Sequence, residues 1–254
     1  MNDRLPPLPE IAAHRGNAAE YPENTLEALR SAVELGLRWV ELDVQVTADL
    51  VPVVLHDADL QRVGGSADSV FDLTWAELAT RPVGEAHRHG DRFAHVRAPS
   101  LAQFATALAG WRGVTAFVEV KSESLERFGH EVVLRRVADA VAPVLDQCIM
   151  ISYDLPAVQM LRQMTGARIG WVVEFYDDAS RQIATDLAPE YLCCDINDVP
   201  ATDIALWPGP WRWMFWEGRD VETLRRAQRL GVHIVETMSV RNLLRARAEA
   251  GPDA

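Results

Sequence analysis

Residues 39–57 read WVELDVQVTADLVPVVLHD, and this stretch decides the fold. It holds two strand-like runs rich in β-branched residues, Trp39–Val46 and Val51–His56. Glu41 and Asp43 interrupt the first run two residues apart, so both side chains point to the same side of the strand. Charge in an otherwise apolar strand falls where the interior side chains of a barrel lie.

Outward from this stretch the chain alternates strands and helices. Upstream, Ile11–His14 is strand-like and leads into NTLEALRSAVELG, where Leu26, Leu29 and Val33 recur at helical spacing. Asn24 and Glu27 are placed to form a capping box, and Gly36 to stop that helix. Downstream, Thr115–Lys121 is a strand and Leu125–Val141 a helix ended by Pro143. Further strands are Cys148–Tyr153, Ala167–Val173, Tyr191–Ile196, Arg212–Trp216 and His233–Met238. Helical patterns separate them near Leu155–Met164, Ala179–Leu187, Val221–Leu230 and Val240–Ala250. Such alternation implies a parallel sheet with right-handed crossovers. Eight units without a split in composition predict an α/β chain folded as a TIM (β/α)8 barrel, rather than a doubly wound sheet.

The chain has 254 residues, close to the roughly 250 of one such barrel, so residues 1–254 are read as one domain. One segment breaks the rhythm. Residues 58–98 carry Gly64-Gly65, Pro82, three histidines and many charges, with one weak helix at Thr74–Leu78. A long irregular insertion of this kind builds a binding surface or lid. Its place after the second barrel strand sets it over the active face.

Composition narrows the function. The chain is 48% hydrophobic and 24% charged, ordinary globular usage. Its net charge of −12 argues against a nucleic-acid or anionic-membrane partner, either of which needs a basic face. A small anionic substrate stays open, because a bound cation inverts the local field. Cys148, Cys193 and Cys194 form neither a disulfide framework nor a zinc cluster. The N-terminal MNDRLPPLPEIAAHRG lacks the apolar run of a secretory signal, and no stretch of about 18 apolar residues predicts a membrane span. A cytoplasmic protein is the expectation.

Catalytic residues of such barrels sit at the C-terminal ends of strands. Those ends read His14-Arg15, Glu41-x-Asp43, His56-Asp57 and Glu119-x-Lys121. Buried carboxylates must be paired or bound to metal. Three of them converging without Cys or His ligands suit a hard cation, Mg²⁺ or Ca²⁺. Each feature alone fits an ordinary ion pair or a structural histidine, but four at successive strand ends do not fit coincidence. His87, His89, His95 and His130 have no such setting and read as surface residues. His233 begins the last strand, at the wrong end for catalysis.

The segments AHRGNAAEYPENTLEA, VELDVQVTADLVPVVLHD and FVEVK resemble the glycerophosphodiester phosphodiesterase family. Its pattern is H-R-G, P-E-N-T, E-L-D-V, T-x-D, P-V-V-x-H-D and E-x-K. The match is dense from Ile11 to Leu60 and returns at Pro99–Leu101 and Glu119–Lys121. The resemblance implies a TIM barrel hydrolysing a glycerophosphodiester to glycerol 3-phosphate and an alcohol, a reaction of lipid and glycerol metabolism. It implies Glu41, Asp43 and Glu119 as ligands of one divalent cation, and His14 and His56 as the acid–base pair. Arg15, Lys121 and Trp216 then contact substrate, and residues 58–98 cover its glycerol end.

The C-terminal half departs from that pattern. The family's W-T-V-N aligns with Trp216, Glu217, Gly218 and Arg219, and its T-D-x-P with Thr237, Met238, Ser239 and Val240. The wall that contacts the alcohol is therefore altered at Arg219 and Met238. Two rival readings remain. A lysophospholipase-D-like enzyme is expected to carry a secretory signal and disulfides. A non-catalytic metal or sugar-phosphate scaffold is expected to have lost one of His14, Arg15, Glu41, Asp43, His56 or Glu119. Which histidine is acid, and whether water or a substrate hydroxyl attacks, the residues do not decide.

Overall fold

Eight parallel strands close on themselves in the computed structural model, which describes residues 6–200 and 205–251. They are β1 (Glu10–Ala13), β2 (Trp39–Val46), β4 (Thr115–Val120), β5 (Cys148–Ser152), β6 (Arg168–Val172), β7 (Tyr191–Asp195), β8 (Arg212–Trp216) and β9 (Ile234–Thr237). Their hydrogen-bonded order is β1-β9-β8-β7-β6-β5-β4-β2, and pairing of β1 with β2 shuts the ring. Helices surround it, as in a TIM barrel.

The ninth strand, β3 (Pro52–Val54), is not a stave. It pairs antiparallel with the end of β2, Val44 opposite Val54 and Val46 opposite Pro52. Val51–His56 therefore forms a shorter strand than its composition suggests. The connection explains the direction. Only a tight turn separates β2 from β3, with Leu50 at φ 62° and its N–H donating to the Thr47 carbonyl, whereas a parallel return needs a crossover of a dozen residues.

Alternation along the strands sorts the core into two layers. Ala12, Phe117, Ile149, Val172, Tyr191, Cys193, Met214 and Ile234 fill the lumen, with Trp39 and Trp216 packed against them. Their neighbours, such as Val118, Met150 and Cys194, face outward into the larger layer beneath the helices. Cys193 and Cys194 thus part to opposite sides, and all three cysteines are free and buried.

Two helical readings change. The helix after β4 is two, Ser122–Phe128 and His130–Val141, because Gly129 sits at φ 85°, outside helical space. The cap of the first helix, Leu26–Glu34, is Thr25, whose hydroxyl accepts from the Ala28 N–H. Asn24 makes no capping box, since its side chain is turned to β2.

Between β3 and β4 the chain builds a small apolar cluster of its own from Leu55, Leu60, Val63, Val70, Leu78, Phe93 and Val96. Thr74 and Glu77 form a capping box on its helix Trp75–Leu78. His89 belongs here rather than at the surface. Its side chain is 10% exposed, its ring meets Phe93 edge-on at 5.1 Å, and Nε2 lies 3.8 Å from Glu85. His87 and His95 are exposed.

Candidate active site at the C-terminal mouth of the barrel

The first component is a turn. After β1 the backbone reverses through Arg15 at φ 56° and Gly16 at φ 80°. A Cβ at Gly16 would come within 2.6 Å of the Ala28 backbone, so glycine is required there. The left-handed Arg15 directs its own N–H to Glu41 Oε2 at 2.9 Å, and holds its guanidinium Nε 3.1 Å from Asp43 Oδ2. A strained residue of this kind persists only when its surroundings overdetermine it, as they do here.

The acidic group is set by strand register. Asp43 on β2 stands directly opposite Glu119 on β4, and Glu41 lies two residues back on the same side. One oxygen from each of the three lies within 4.8 Å of the others. Lys121 Nζ approaches Glu119 at 2.9 Å and Asp43 at 3.5 Å, while Asn24 donates to Asp43 at 2.8 Å. Burial opposes ionisation of Asp43, but Arg15 and Lys121 outweigh it and lower its pKa to about 2. Glu41 is held well above the carboxylate range by burial and by Asp43, Glu236 and Glu119, and Glu119 is raised by burial and by Asp43. Glu41 Oε1 is buried with no hydrogen-bond partner. An all-oxygen donor set with an orphaned carboxylate oxygen fits a hard divalent cation.

His56 follows β3. Buried Gln45 donates to the His56 carbonyl at 2.9 Å, and Ser124 in turn donates to Gln45 Oε1. The ring Nδ1 lies 2.5 Å from Asp57 Oδ1. Arg62 then links Asp57, at 2.7 Å, to Glu23, at 2.6 Å. Glu23 also holds Arg15 at 3.0 Å, and its backbone N–H donates to Glu85. The segment between β3 and β4 is thereby clasped to the first turn of the site.

One cavity is lined by His14, Arg15, Glu41, His56, Glu119, Lys121 and Trp216, with Asp43 ion-paired just beneath them. Sequence reasoning missed five more of its lining residues and two partners, Asn24 and Glu217, that hold lining or adjoining side chains. Tyr153 lines the rim, and Ile151, Val172 and Met214 give an apolar wall. Asn24 fixes Asp43. Glu217, just beyond β8, lies 2.9 Å from His14 Nδ1. Glu236, within β9, is 2% exposed, lines the cavity and has an unpartnered Oε1. Its signal was present as an acidic residue inside an apolar strand. Glu217 gave none, since nothing local marks a contact 203 residues away. Arg219 lies outside this cavity, in a separate recess that Glu217 also lines.

Burial lowers the basicity of His14, yet the Glu217 hydrogen bond and nearby Glu236 outweigh it and raise its pKa. Burial among Glu217, Glu119 and Asp43 pushes Glu236 up to about 8.

A profile of the glycerophosphoryl diester phosphodiesterase family matches residues 14–194. Over 112 residues, 44% of this chain, the sequence is 37% identical to the glycerophosphodiester phosphodiesterase of Caldanaerobacter subterraneus and 34% identical to human glycerophosphodiester phosphodiesterase 1. The matched stretch spans 45% of the bacterial relative and 34% of the human one, less than half of either. In architecture the chain is similar to an Oleispira antarctica phosphodiesterase solved with the product sn-glycerol-3-phosphate. That match has a TM-score of 0.81 at 21% identity, over 94% of this chain and 96% of that one. It is also similar to a glycerophosphodiester phosphodiesterase from Parabacteroides distasonis, with a TM-score of 0.75 at 20% identity over 96% and 99% of the two chains.

Proposed function

The chain belongs to the glycerophosphoryl diester phosphodiesterase family, and from that premise we propose that it hydrolyses a glycerophosphodiester to glycerol 3-phosphate and an alcohol, dependent on one divalent cation, Mg²⁺ or Ca²⁺. The observation that carries this reading is the convergence of two histidines, the basic side chains of Arg15 and Lys121, and the carboxylate cluster on one cavity.

In this reading Glu41, Asp43 and Glu119 would hold the cation, whose chemistry there would be Lewis-acid stabilisation of the phosphoryl oxygens and orientation of a hydroxyl nucleophile. Arg15 and Lys121 place fixed positive charge beside the phosphate, and together with the bound divalent cation they would make the cavity cationic although the chain is acidic. His14 and His56 divide the proton work: one accepts the proton of the attacking hydroxyl, the other delivers one to the departing alkoxide. Two positioned acid–base groups contribute about 10²–10⁴-fold each, roughly 5–11 kcal/mol together. Trp216 and the apolar wall bound the substrate's uncharged part. Residues 58–98 act as an insertion within one barrel unit, closing over the glycerol end through the Arg62–Glu23 clasp.

The partner is a small-molecule phosphodiester. Among the described residues no helix is long and apolar enough to cross a membrane. We assign the protein to the cytoplasm because its three buried cysteines are free thiols, as in a reducing compartment, and cell fractionation checks this. The test of function is a panel of glycerophosphodiesters with Mg²⁺ or Ca²⁺ added, followed by release of glycerol 3-phosphate.

A further inference from the structure

Among the described residues, Glu217 is the one carboxylate at the barrel mouth that makes a direct hydrogen bond to an imidazole of the site without being a candidate metal ligand and without following that histidine in sequence. Its Oε2 lies 2.9 Å from His14 Nδ1, and its Oε1 accepts the Met238 backbone N–H at 2.7 Å. Both oxygens are thus committed. Glu217 follows β8, Met238 follows β9 and His14 follows β1, three neighbouring staves in the ring. The carboxylate spans the end of the middle stave, anchored on its backbone, and reaches the histidine on the far one.

A carboxylate oxygen only accepts, so this contact places the proton of the imidazole on Nδ1 and leaves Nε2 facing inward, 4.0 Å from Glu41 Oε2. We infer that Glu217 is a positioning residue that fixes the ring orientation and tautomer of His14 for proton transfer through Nε2. The inference rests on the proposed acid–base role of His14. It also gives the departure at the W-T-V-N position a use, since a threonine side chain is two atoms shorter and does not offer two acceptor oxygens. His56 has its own orienting partner in Asp57, so each histidine of the cavity is held at Nδ1 by a carboxylate.

A purely structural tie between strand ends predicts the same contacts but different kinetics. The test uses the full chain with Mg²⁺ and glycerophosphocholine, comparing native protein with Glu217→Ala and His14→Ala, each checked for native circular dichroism. Outer partners of this kind act on the scale of 10–100-fold. Glu217→Ala is expected to lower kcat by at least about tenfold while KM stays within about twofold. Long-range ¹H–¹⁵N spectra give a readout independent of turnover. The native protein is expected to show His14 protonated at Nδ1, and Glu217→Ala to shift it toward the Nε2–H form. An unchanged kcat in Glu217→Ala beside an inactive His14→Ala overturns this inference alone. So does a native His14 protonated only at Nε2. A fully active His14→Ala removes the acid–base reading of His14 and takes this inference with it.

Discussion

Asp43 and Glu119 face one another across the β2–β4 pair, and Lys121 Nζ sits within 3.5 Å of both. Two carboxylates held this close on neighbouring strands repel each other, and one lysine with Arg15 does not neutralise three acids. Charge balance therefore favours a cation at the position where the oxygens of Glu41, Asp43 and Glu119 converge. Glu119→Gln removes one charged ligand without changing shape. It is expected to weaken Mg²⁺ activation by about tenfold or more, read as the metal concentration for half-maximal rate. Chelator should abolish turnover, with recovery on adding Mg²⁺ or Ca²⁺; full activity in chelator removes the cation from the account.

The two histidines reach the cavity from separate strands, so their removal should leave the barrel intact. His56→Ala and His14→Ala are each expected to reduce kcat by at least about 10²-fold with unchanged circular dichroism. Turnover within a few-fold of native in either variant contradicts its assignment.

Glu23 is 6% exposed and accepts from both Arg15 and Arg62. Burial pushes its pKa up, but the two guanidinium groups outweigh this and hold it below the ordinary carboxylate value. A depressed carboxylate stabilises the fold above the unfolded-state pKa, and that contribution fades as pH falls through the folded value. Glu23→Gln should therefore cost about 3 kcal/mol at pH 7, scaled from broken buried pairs, in urea unfolding. The gap from native should shrink as the pH is lowered below about 4.5. A gap that does not change with pH places the cost elsewhere.

Glu236 runs the other way. Its unfolded reference is 4.5 and burial among carboxylates raises it to about 8. Between those values the folded state keeps a proton that the unfolded state has lost. Stability conferred by that proton is complete below the unfolded value and declines, by up to about 1.4 kcal/mol per pH unit, as pH rises through the folded one. Glu236→Gln carries no such proton. In chelator, its unfolding temperature relative to native is expected to rise steadily from pH 5 to pH 8. A constant difference over that range contradicts the buried, neutral carboxyl.

Much of the site was legible because its chemistry is local. Glu41 with Asp43, and Glu119 with Lys121, are two apart on strands, and period-two geometry alone puts each pair on one side. The alternation of strands with helices likewise carries the barrel. What stayed hidden depends on long-range placement. Asn24 looked like a cap residue because a short polar side chain before a helix serves that purpose, yet Asp43 was the stronger partner. Val51–His56 has strand composition, but composition does not set direction, and the tight Thr47–Leu50 turn made it antiparallel. His89 reads as polar surface until Phe93 folds over it. Glu217 and Glu236 come from the last two staves, where closure of the ring against β1 brings them to His14.

The central claim is hydrolysis of a glycerophosphodiester at this cavity, and the most direct measurement is product release. Purified protein with Mg²⁺ or Ca²⁺ is incubated with glycerophosphocholine, glycerophosphoethanolamine and glycerophosphoinositol, and glycerol 3-phosphate is followed enzymatically. The account predicts metal-dependent release of glycerol 3-phosphate from at least one of the three, lost in His14→Ala. Release of no glycerol 3-phosphate from any of them, by protein that cleaves an artificial diester with the same metal, would contradict it.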